Sequence, residues 1–201
     1  MSNGLKINDA QFLRAQLLLG AVKNGTNKVS ARAINKSMTK VKTASVKAIG
    51  KDVNLKATRI KKTFSIYKAT FRRLDGRVAC NGSPVGLFQF GARQTKKGVT
   101  VKVKRASKRT ILKHAFIAQG KHGTTHVFWR QWKGKRVAVK PGRKYAKLPH
   151  KYRFPLERLT GPRIPDIFNL APVMGQAQKV AQESLDDNFA HELDRELKKL
   201  K

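Results

Sequence analysis

The sequence predicts an α+β protein with N-terminal helices, a central and mainly antiparallel β-sheet, and a C-terminal amphipathic helix. Three observations carry this. Apolar residues recur at helical spacing up to about Lys62, alternate with polar ones through the middle of the chain, and return to helical spacing after Pro165.

Asp9 can cap a first helix running to about Val22, with Phe12, Leu13, Leu17, Leu18 and Leu19 as a wide apolar face. Asn24-Gly25 is its stop. A second helix is predicted from about Asn27 to Ile49, where Val29, Ile34, Met38 and Val41 recur every three to five positions, Ala48 follows two turns on and Gly50 closes the run. A short third helix follows over about Leu55 to Lys62. On the second helix Lys28, Arg32, Lys36 and Lys40 stand at successive i,i+4 positions, one row with no interleaved acid. Like charges so spaced destabilise a helix by a few tenths of a kcal/mol per pair. The row is either a solvated lysine face or one that phosphates neutralise.

From Ser65 the period changes to two. Ile66, Lys68, Thr70 and Arg72 alternate with Tyr67, Ala69 and Phe71, and Leu74-Asp75-Gly76 reads as a turn before Val78. Val85 to Phe90 is apolar and closed by Gly91. The clearest strand is Val99 to Lys104, valines to one side and Thr100, Lys102 and Lys104 to the other. Further strands are predicted at Ala115–Ala118, His126–Trp132 and Arg136–Lys140, with turns such as Gly120-Lys121-His122-Gly123 between them. Phe128, Trp129 and Trp132 are packing groups or, less commonly, platforms for bases.

After Pro165, Ala177, Ala181, Leu185, Phe189, Leu193 and Leu197 fall on one i,i+4 row, widened by Val180 and Leu200. Glu183, Asp186, Asp187, Glu192, Asp194 and Glu196 are assigned to other faces, where they can pair with the basic surface of a neighbouring copy. The organisation expected is a basic α+β body over residues 1–165 and an amphipathic helix over 166–201, packed on the body or on a neighbouring subunit.

The chain has 201 residues, 45 of them Lys or Arg and 11 Asp or Glu, a net charge of +34. Residues 1–165 carry a net +36 and residues 166–201 a net −2, so the excess belongs to the body. Self-repulsion at that density points to a polyanionic partner. With 40% hydrophobic residues a core is still affordable, which excludes a purely disordered tail.

Neither a membrane span nor a signal-peptide core is visible in the apolar pattern. Cys80 is the single cysteine, so no intrachain disulfide forms, and a small packed residue is its expected role. His122 and His126 lack nearby ligands to complete a zinc set. Between residues 10 and 165 only Asp52, Asp75 and Glu157 are acidic, too few for the usual phosphoryl-transfer or nuclease site. Gly82, Gly86 and Gly91 lack the Lys-Ser/Thr ending of a phosphate loop. No catalytic, cofactor or metal site is therefore assigned.

Four stretches carry a resemblance. They are Ala33-Ile34-Asn35 in the long basic helix; Gly98 to Val103; Ala115-Phe116-Ile117-Ala118, followed by Val127-Phe128-Trp129-Arg130; and Phe154 to Pro162. Their order and spacing over roughly residues 25–195 resemble the minor tail protein Z family of long-tailed bacteriophages, also called tail completion proteins. The resemblance implies a virion structural protein at the head-proximal end of the tail, with no catalytic residues to carry over. It implies as partners the tail terminator and the head–tail connector, and by analogy with tail symmetry a homo-oligomeric ring. It places the protein in the virion, and in the host cytoplasm during assembly.

Within such a ring, charge would hold double-stranded DNA without reading its sequence. The candidate contacts are Lys28, Arg32, Lys36 and Lys40, with Lys102, Lys104, Arg105, Lys108 and Arg109. The rival reading is a ribosomal or ribosome-associated RNA-binding protein, which size and charge also fit. A nucleoid-like DNA packager is third.

Overall fold

Small side chains, among them Ala33, Ser37, Ala177, Ala181 and Ser184, lie where the two long helices of the chain pack together. The computed structural model describes residues 9–20, 25–120, 123–130 and 155–199. The chain divides into two compact units: residues 1–50, 57–82 and 164–201, and residues 51–56 and 83–163.

The first unit holds α1 (Asp9–Leu18), α2 (Gly25–Asp52, its last two residues in the second unit), α3 (Ala57–Lys61), β1 (Phe64–Tyr67), β2 (Arg77–Cys80), α4 (Ile164–Phe168) and α5 (Ala171–Leu197). Helices α2 and α5 run antiparallel: Arg32 meets Glu196, Lys36 meets Glu192 and Ser37 meets Ser184. Val29 and Ala33 close on Leu185 and Phe189, with Ala15 and Leu19 completing that cluster. Further along, Val41 packs on Ala177 and Ala181. Burying a Leu, Val or Phe stabilises the fold by about 1.5–3 kcal/mol each.

Between the two clusters lies a buried polar crossing. The Ser37 hydroxyl is 2.8 Å from the Ala33 carbonyl and 3.0 Å from that of Ser184, and it accepts from Asn188 Nδ2 at 2.9 Å. Each buried group there has a partner, so the crossing sets a register as well as a contact.

The hairpin β1–β2 pairs Phe64 with Cys80 through Tyr67 with Arg77. The segment after β1 is held by Asn35, which donates to the Ala69 carbonyl and accepts from the Ala69 amide, both at 2.9 Å. A Cβ on Gly76 would lie 2.6 Å from the Met38 methyl and 2.8 Å from Ile34 Cγ2, so a side chain there would require the end of Met38 to shift.

The second unit contains two antiparallel three-stranded sheets. One is β3 (Arg93–Thr95), β4 (Gly98–Val101) and β5 (Thr110–Lys113), in that order; the other is β6 (Phe116–Gln119), β7 (Thr125–Arg130) and β8 (Leu156–Arg158). A 3-10 turn at Leu87–Phe90 packs on β4 and β7. Among the described residues β8, preceded by Pro155, is an edge strand, a place that tolerates proline.

Several expectations shift. Helix α1 ends at Leu18, four residues early, while α2 starts at Gly25 and passes through Gly50 to Asp52. The carbonyl of Asp52 accepts from the Arg105 amide, so the last carbonyl of the helix is paired without a glycine cap. The alternation predicted to Arg72 is strand only to Tyr67, because Asn35 takes the backbone groups of Ala69.

The apolar run Val85–Phe90 is a 3-10 turn closed by left-handed Gly91. The strand from Val99 ends at Val101, and beyond it Lys104 makes an isolated bridge to Val53. Among the described residues the predicted central sheet is three small antiparallel sheets. The predicted strand Arg136–Lys140, with Trp132 and His122, lies outside the described residues.

Candidate nucleic-acid interface

Every predicted contact residue is Lys or Arg, so the question is which of these charges already have partners. On α2 the row is divided. Lys36 Nζ donates to Glu192 Oε1, and Arg32 Nη1 lies 3.3 Å from Glu196 Oε1 and 4.0 Å from Glu192 Oε2. The Glu192 side chain is fully buried. Burial pushes its carboxyl up, but the hydrogen bond from Lys36 and the charges of Lys36, Arg195 and Arg32 outweigh this and hold it below the usual range.

The assignment of Glu192 and Glu196 to outer faces is thus corrected. They lie at i+7 and i+11 from Leu185, on the core side of α5, and they neutralise α2 of their own chain. Lys42 is also engaged, donating to the Phe64 carbonyl at 2.8 Å. Lys28 and Lys40, at the two ends of the row, are exposed and lack an acidic partner among the described residues.

The second predicted group lies in the connection from β4 to β5. Residues 102–109 carry five cations, which repel one another and would leave an unbraced loop mobile. Three ties brace it. Asn54 Nδ2 donates to the carbonyls of Lys102 (3.1 Å) and Phe90 (3.2 Å), and the Asn54 amide donates to Val103 at 2.8 Å. The Arg105 amide donates to Asp52 at 2.8 Å. Arg109 places both terminal nitrogens 3.0 Å from the Gly91 carbonyl.

Arg109 is therefore in part a clip for the backbone. Lys104, Arg105 and Lys108 are exposed, Lys102 half-buried. The sequence reading missed Arg93 and Lys113, exposed on the strands flanking β4.

The charge is unequally shared. The second unit has 24 Lys/Arg and two acids, Asp52 and Glu157, a net +22. The first unit has 21 and nine, a net +12. Glu157 also accepts from Trp129 Nε1. In this field, burial and then the neighbouring Arg158 charge hold His126 below its ordinary value.

Phe128 packs against neighbouring rings of its own sheet. Phe128 is 6.2 Å from Phe116 and 5.8 Å from His126, centroid to centroid. Cys80 is half-buried beside Thr63, and burial raises its thiol, the opposite of what activates a nucleophile. No three His, Cys, Asp or Glu side chains gather among the described residues.

This arrangement is a basic α+β scaffold whose exposed charge can meet a polyanion without base readout. The chain belongs to the prophage minor tail protein Z (GPZ) family, whose model matches residues 18–201. It is thus a phage minor tail protein, a structural component of the tail. No curated protein and no solved structure matches it. Among the described residues no helix is long and apolar enough to cross a membrane.

Proposed function

We propose that this tail protein acts late in tail assembly at the head-proximal end, as a tail completion or neck protein. There it helps join tail to head and holds the DNA in the channel without reading its sequence. The observation that carries the DNA contact is the braced connection 102–109, in a unit of net +22. Its free charges are Lys102, Lys104, Arg105 and Lys108, with Lys28 and Lys40 of α2 as outlying contacts.

The partners in this reading are the tail terminator and head–tail connector, with copies of the chain arranged as a ring around DNA. Assembly takes place in the host cytoplasm and the role is non-catalytic. Partner subunits and DNA would neutralise the remaining charge. Family membership supports this reading over a ribosomal RNA-binding one.

The test is a phage lacking the protein. Particles should show assembled tails with misplaced DNA ends or failed head joining, visible by electron microscopy and by infectivity. Normal infectious particles would overturn the proposal.

A further inference from the structure

The antiparallel register of β3, β4 and β5 places paired residues on the same side of the sheet. Val99 and Val101 are buried, which makes theirs the inner side. The outer side then carries the rows Arg93–Thr100–Ile111 and Thr95–Gly98–Lys113. Lys102 and Arg109 continue the alternation past the strand ends. This face has cations on both flanking strands and no acid in any of the three.

Arg93 and Lys113 are exposed, and among the described residues no ion pair holds either of them. Their strands lie two spacings apart, about 10 Å. That span is comparable to the grooves of B-DNA, roughly 6–12 Å wide. Ile111 is the one large apolar residue on the face, whereas a stable protein partner needs buried aromatic or aliphatic anchors. A charged, flat and mostly polar face fits a nucleic-acid backbone better.

We propose that the outer face of β3–β4–β5 is the surface that seats the sugar-phosphate backbone of duplex DNA, with Arg93 and Lys113 as its outer contacts. This rests on the DNA-contact reading above and extends the contact from the 102–109 connection onto the adjoining sheet face, with α2 left outlying. The acids of α5 already occupy Arg32 and Lys36, so the α2 row has less charge to offer.

The experiment measures binding of the full-length protein to a labelled random-sequence duplex between roughly 50 and 200 mM salt. Each lost phosphate contact lowers the log–log slope by about 0.9, so Arg93→Gln/Lys113→Gln should bind more weakly with a slope shallower by about 2. The charge-keeping Arg93→Lys/Lys113→Arg variant should retain the wild-type slope, which separates lost charge from lost folding.

A wild-type slope in the Gln variant, when the wild type itself binds, overturns this placement alone. Failure of the wild type to bind duplex overturns the DNA reading and the placement together. Polyglutamate binding as tight as duplex, with the same loss in the Gln variant, overturns it in favour of an acidic protein partner.

Discussion

Lys36 Nζ donates a hydrogen bond to Glu192 Oε1, joining the middle of α2 to the last turns of α5 across 156 positions of sequence. Arg32 and Arg195 flank the same carboxylate at 4.0 and 3.6 Å from Oε2. Replacing Glu192 with Gln keeps the shape and leaves three cations around a neutral group. The cost expected is about 1.5–3 kcal/mol, the range for a hydrogen bond to a charged partner. Lys36→Met should cost less, because the lysine side chain is 46% exposed and water screens its charge. Thermal melts of the two single variants and the double would check this, since the partners should be strongly non-additive.

The same carboxylate sets a pH dependence. Its folded value lies below the ordinary 4.5, so the folded protein binds fewer protons than the unfolded chain in the interval between them. The stabilisation is complete above the ordinary value and is lost as pH falls through the folded one. Glu196 acts in the same direction, held down first by its hydrogen bond from Lys199 and then by the charges of Lys199 and Arg32 against the cost of burial. The melting-temperature gap between wild type and Glu192→Gln should therefore narrow on acidification below about pH 5. A gap that stays constant down to acid unfolding would remove the carboxylate from the account.

Two glycines make opposite predictions. Gly98 has φ +144°, and a Cβ there would lie 2.1 Å from the Leu112 carbonyl oxygen, a backbone atom that cannot step aside. Gly98→Ala should cost at least about 2 kcal/mol and disturb the β4–β5 pairing. Gly175 lies inside α5 with nothing within 4 Å of a built Cβ. Gly175→Ala should stabilise by about 0.5–1 kcal/mol, through helix propensity and a less disordered unfolded chain. Urea midpoints of the two variants should move in opposite directions.

What was legible in the sequence was local. The Ala177–Leu197 row foretold the buried side of α5, because a 3.6-residue period survives in any helix that buries one face. Glu192 and Glu196 were misassigned although their spacing from Leu185 and Phe189 was a usable signal. A charged residue on an apolar row reads as surface until its partner is known, and Arg32 and Lys36 are too distant in sequence to be matched. Arg93 and Lys113 were missed for a related reason. Only the pairing of β3, β4 and β5 brings them to one face. The apolar run Val85–Phe90 carries no period that separates a strand from the turn found at Leu87–Phe90.

The last prediction concerns Asn54, which positions the basic connection without contributing charge. Its side-chain amide holds the carbonyls of Phe90 and Lys102, and its backbone amide holds Val103. Asn54→Ala leaves two carbonyls short of a partner, at a cost of about 1–3 kcal/mol if water does not reach them. Amide exchange at Arg105, bound to Asp52 in the next rung, should accelerate as the strut loosens. On the DNA reading, duplex affinity should also fall, because the cations must then be ordered on binding. The salt slope should stay unchanged, since the number of cations is the same. Lys104→Gln/Arg105→Gln should do the reverse, lowering the slope while leaving the melting temperature nearly as it was. If Asn54→Ala changes the slope and not the exchange rates, the residue touches DNA itself and the positioning role is wrong.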